Sequence, residues 1–204
     1  MKKIFIFQVL LIISTLSIAQ VRLESLVKTG TKLTYGIEAN GLKYDLIVTI
    51  RTLAPALVFD WQMTDAVTNN GTITHTATAM ISANTMFNYF TPGAKTLDDN
   101  GISMWLSKNT YTGLMKEGKG AMMKMNTKEA LKKMGTYTEE NSELKIIVNG
   151  EKETVEEEIA KELNDEGEPS GEDTFFTFYP SAKMPIILRM KNGFYLCLKE
   201  IKTK

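Results

Sequence analysis

This 204-residue chain has one histidine, His75, and one cysteine, Cys197, so little of it is suited to metal ligation or acid–base chemistry. A single histidine excludes a zinc site built on several histidines, an HExxH helix and a pair of catalytic histidines. There is no GxSxG elbow, Walker loop or GxGxxG stretch. A Ser-His-Asp triad through His75 needs Asp65, which faces it in one strand register, and a serine delivered from elsewhere. A histidine sharing a strand face with Ile73 and Ala77 reads as structural. Cys197 lies in the apolar run Phe194 to Leu198, which suits a buried small hydrophobe better than a thiolate nucleophile. It has no intramolecular disulfide partner.

Carboxylates are abundant, but no pattern selects a pair. Asp60 is beside Trp61, and Asp98-Asp99-Asn100-Gly101 is a turn that matches a calcium loop only weakly. Paired acids for glycoside hydrolysis depend on a separation that only the fold sets, so a secreted hydrolase with unidentified catalytic residues stands as the alternative reading. No catalytic residue, metal ligand or cofactor is assigned. The remaining signal is apolar. Twelve methionines include a mid-chain group, Met115, Met122, Met123, Met125 and Met134, near several aromatic residues. Such residues fill irregular cores and also line adaptable binding surfaces. The ligand-binding hypothesis rests on Trp61, Met63, Phe87, Tyr89, Phe90 and Trp105.

Those side chains need elements to position them, and Lys32 to Ile50 organises the rest. Asn40-Gly41 tolerates the positive φ angles of a two-residue turn, which sets Glu38 against Lys43, Ile37 against Tyr44 and Leu33 against Val48. Ala54-Pro55-Ala56 interrupts, and Leu57 to Thr64 alternates as a strand with Leu57, Phe59, Trp61 and Met63 on one face. After Asn69-Asn70-Gly71, Thr72 to Ile81 reads as a strand. A register with Ala77 against Met63, Ala79 against Trp61 and Ile81 against Phe59 is expected there. Ser82 caps an expected helix over Ala83 to Phe90. Ile102 to Leu106 reads as a strand, Ser107 to Met115 as a helix and Gly120 to Met125 as a strand. Asn126 with Glu129 opens an expected helix to Met134 that Gly135 closes. Leu144 to Val155 forms an edge hairpin with Ile146 facing Glu153. Asn192-Gly193 forms a third hairpin, pairing Met190 with Tyr195, Leu188 with Cys197, Met184 with Ile201 and Ile187 with Leu198.

The sum is a β-rich α+β fold, a curved antiparallel sheet of Asn-Gly hairpins clasping a few short helices. In strand and helix order this layout resembles the half-barrel of bacterial lipoprotein carriers. Lys2 and Lys3, an apolar run from Ile4 to Leu16, and Ser17-Ile18-Ala19 read as a signal peptide over residues 1–19, which implies a secreted or periplasmic chain without a transmembrane span. Residues 20–204 then form one domain. Net charge over the whole chain is zero, yet residues 139–173 carry −11, an acidic surface insert in which Asn164 to Asp173 reads as a mobile loop. That charge works against a nucleic-acid partner. The expected function is a non-enzymatic binding protein of the bacterial envelope that holds a hydrophobic small molecule, a lipid or a protein partner.

Overall fold

Alternation of apolar and polar side chains from Lys32 onward builds the first strands of the computed structural model, which describes residues 21–64, 69–116, 120–137, 142–170 and 174–204. The signal-peptide region lies outside the described residues. A short helix without a side-chain cap, α1 (Leu23–Leu26), leads into β1 (Lys32–Ala39) and β2 (Leu42–Thr52). Asn40 and Gly41 take φ of 51° and 76° between them, and Glu38 lies opposite Lys43, Ile37 opposite Tyr44 and Leu33 opposite Val48, as a two-residue turn predicts. β3 (Val58–Met63) buries Phe59, Trp61 and Met63 on one face and sets Trp61 opposite Val48.

The next segment departs from expectation. β4 (Asn70–Thr74) ends before His75, with Trp61 opposite Gly71 and Phe59 opposite Ile73, so the expected register through Ala77, Ala79 and Ile81 is wrong. Asn70 and Gly71 are ladder residues opposite Gln62 and Trp61 rather than a turn, and Asp65 lies outside the described residues. Thr76 accepts the Ala79 N–H and caps α2 (Ala77–Ser82) where a strand was expected. The expected helix over Ala83 to Phe90 does not form. Thr85–Met86 is β5, followed by β6 (Gly93–Thr96) and β7 (Gly101–Ile102). Here long-range partners take the backbone groups that a helix would satisfy locally: the N–H groups of Thr85, Met86 and Phe87 donate to Asn100, Lys124 and Ile102.

Ser107 caps α3 (Lys108–Met115), and β8 (Ala121–Met123) comes next. The expected helix from Asn126 to Met134 is replaced by a turn and then β9 (Lys132–Tyr137). Asn126 Oδ1 does accept the N–H groups of Lys128 and Glu129, as a cap does, but the chain leaves as a strand that places Met134 opposite Ala121. β10 (Glu143–Val148) and β11 (Glu151–Glu156) pair with Ile146 opposite Glu153. β12 (Glu158–Glu162), β13 (Phe175–Phe178), β14 (Ile187–Lys191) and β15 (Tyr195–Lys202) complete the chain. Asn164 to Ser170 is a turn folded back through a Leu163–Pro169 bridge. The last hairpin is one residue longer than expected. Met190 meets Leu196 and Arg189 meets Cys197 around a three-residue turn, which displaces the expected pairs of Met190 with Tyr195, Leu188 with Cys197, Met184 with Ile201 and Ile187 with Leu198.

Among the described residues, thirteen strands share one sheet that is not closed, running β6-β4-β3-β2-β1-β15-β14-β13-β12-β9-β8 with β10 and β11 branching from β15. The sheet is mixed rather than antiparallel throughout, because β4 with β6 and β10 with β15 run parallel. β15 is its pivot. One edge pairs with β1, and the other is shared between β14 at its start and β10 near Ile201. The acidic region is built into the sheet, since β12 lies between β9 and β13.

Candidate functional site

Because Glu38 of β1 lies opposite Tyr195 of β15, the turn after β1 and the turn before β15 sit side by side at one end of the sheet. The segment Asn88 to Phe90 closes over them. Together they enclose a cleft of about 420 Å³. Its walls are apolar, including Ile37, Met63, Phe90, Met190 and Leu196, and its rim carries Asn40, Asn88 and Asn192. Among the described residues, no charged side chain lines it. Met104, also in the lining, holds a φ of 62° while its carbonyl accepts the Ile187 N–H. A bulky residue in that region costs about 1–3 kcal/mol, which the surrounding packing offsets.

Of the six residues singled out in the sequence, Met63, Tyr89 and Phe90 come together on this cleft. Tyr89 is 50% exposed at its mouth, with Lys128 Nζ 5.7 Å from its ring centre. Trp61 is 1% exposed and stands one ring behind, edge-on to Phe90 at 5.3 Å. Phe87 touches Phe90 at 6.4 Å but lines a neighbouring polar depression, where Lys95 Nζ lies 4.2 Å from its ring centre. Trp105 is buried, bridged to Ile186. The asparagines were missed. Asn40 and Asn192 carry an obvious turn signal, and nothing local says that their two turns adjoin.

His75 is fully buried. Its Nδ1–H donates to Leu57 O at 3.0 Å and its Nε2 accepts the Ser103 N–H at 2.9 Å, which fixes the neutral tautomer. Desolvation pushes its pKa down to about 4, against the pull of the Leu57 bond. A serine does arrive beside the ring, but through its backbone, and Ser103 is also fully buried. No substrate reaches the pair. Asp60 is held by Arg51 at 2.6 Å and by Thr72 at 2.7 Å. Glu157, whose side chain is fully buried, accepts from Arg189, Thr177 and Ser142.

Among the described residues, no group of three His, Cys, Asp or Glu side chains is placed to hold a metal, and no helix is long and apolar enough to cross a membrane. Compared with protein-family models, curated proteins and solved structures, the chain matches none.

Proposed function

We propose that this chain is an exported, non-enzymatic binding protein of the bacterial envelope, and that the cleft between the two turns receives the apolar body of a small molecule or lipid. The observation that carries this reading is the cleft: about 420 Å³, walled by apolar side chains and bordered by a few neutral polar ones. That volume falls within the roughly 300–1,000 Å³ of small-molecule sites. A curved, half-barrel sheet belongs to the same reading, since curvature opens a groove at the end of a sheet. Export rests on Lys2, Lys3, the apolar run and Ser17-Ile18-Ala19. Mass spectrometry of secreted material, showing a mature end near Gln20, tests it. A hydrolase has less support, because His75 is sealed and the carboxylates of Asp60 and Glu157 are engaged.

The binding reading is tested by intrinsic fluorescence, because Trp61 touches the cleft-lining Phe90. Amphiphiles with a ten-carbon chain, kept below the concentration at which they aggregate or separate from water, should give a saturable shift. A Phe90→Asp variant that still melts cooperatively should lose it. If 1-decanol, methyl decanoate and decanoate all leave the emission unchanged, the cleft is not a ligand site.

A further inference from the structure

We infer that the cleft, if it is the ligand site argued above, selects an uncharged amphiphile whose polar end donates a hydrogen bond, such as a hydroxyl on an apolar body, and discriminates against a carboxylate or phosphate head. The rim shows why. Asn88 Nδ2 donates to Met125 O at 2.6 Å, and Asn192 Nδ2 donates to the same carbonyl at 3.4 Å and to Glu129 Oε1 at 3.0 Å. An amide is planar, so committing its NH2 group to one side leaves its oxygen on the other. Both asparagines line the cleft, and among the described residues neither Oδ1 has a hydrogen-bond partner. Both oxygens accept and do not donate.

Behind Asn192 the same polarity continues. Glu129 Oε1 is taken by Asn192 and Asn126, while Glu129 Oε2 is buried with no hydrogen-bond partner. A ligand whose polar end reaches these asparagines therefore meets two amide oxygens backed by a carboxylate; among the described residues no cationic side chain is in the lining, and Lys128 stands at the mouth on the ring of Tyr89. A hydroxyl satisfies an Oδ1. An anionic head meets like charge and must shed its hydration without compensation.

Three ligands of one chain length test this on the intact protein at pH 8: 1-decanol (a neutral donor), methyl decanoate (neutral, acceptor only) and decanoate (an anion). 1-Decanol should bind most tightly, with decanoate at least tenfold weaker and methyl decanoate about fivefold weaker, as one lost hydrogen bond of ~1 kcal/mol implies. Asn88→Leu should remove most of the preference for 1-decanol over methyl decanoate. If that variant fails to fold, the wild-type series still decides. Decanoate binding as tightly as 1-decanol would overturn the selectivity while the cleft remained a ligand site, and so would 1-decanol binding no better than methyl decanoate. Binding of none of the three would instead remove the underlying site.

Discussion

His75 is neutral in the folded protein because burial strips its water and both ring nitrogens are engaged. Unfolding returns it to an ordinary pKa of 6.5, against about 4 in the fold, so the unfolded chain binds the extra proton between those values. Its contribution is complete above pH 6.5 and is lost as pH falls toward 4, on the order of 3 kcal/mol. The stability of the wild type should fall by that amount between pH 7 and 4 relative to His75→Gln; the same loss in both proteins would contradict it. Two glycines give a contrast at this scale. A Cβ at Gly71 sits 2.1 Å from Gly93 O and 2.9 Å from Trp61 Nε1, so Gly71→Ala must push β6 off β4 and should cost at least about 2 kcal/mol. A Cβ at Gly36 meets Lys199 Cε at 2.1 Å, the far part of a flexible side chain. That lysine can swing away and give up an exposed pair with Asp45, so Gly36→Ala should cost under about 1 kcal/mol. Equal melting shifts for the two variants would show that backbone contact is not what separates them.

At the scale of elements, Glu157 joins the start of β12 to β13 through Thr177 and to β14 through Arg189, while Ser142 reaches it from the approach to β10. A buried carboxylate left without its cation is expensive, so Arg189→Met should destabilise the protein by about 3–5 kcal/mol. The double variant Glu157→Leu with Arg189→Met should recover much of that loss. Urea denaturation of the full double-mutant cycle checks it, and additive losses would mean the pair is not coupled. α3 depends on its cap: the Ser107 Oγ accepts the Thr110 N–H at 3.2 Å and donates to Thr110 Oγ1 at 3.0 Å. Ser107→Ala should lower stability by about 1–2 kcal/mol with little change in the denaturant dependence.

For the whole molecule, ligand binding should remove apolar surface from water at one end of the sheet and leave the strand core as it is. Calorimetric titration of 1-decanol at several temperatures should therefore give a negative heat-capacity change. A change near zero would place the ligand outside an apolar site. Binding should also raise the melting temperature with ligand concentration, since a molecule that binds only the folded chain stabilises it by mass action.

The alternation of β1, β2 and β3, their buried faces and the β1–β2 register are determined by the sequence alone, because strand side chains alternate with period two and Asn40-Gly41 supplies a turn that the pattern on both sides confirms. The caps at Ser107 and Asn126 are legible for the same local reason: one side chain captures N–H groups a few residues away. The conformation beyond a cap is less local. After Asn126 the chain becomes a strand, and Ala83 to Phe90 stays extended, because the partners of those backbone groups lie in segments distant along the chain. Of the cleft, Met63, Tyr89 and Phe90 could be named from residue type and position. Asn40, Asn88 and Asn192 could not, since the pairing of β1 with β15 brings the first turn against the last. That pairing is a choice among distant strands, decided by which apolar faces can be buried together, and it is the tertiary structure that turns two ordinary hairpin turns into the rim of a cleft.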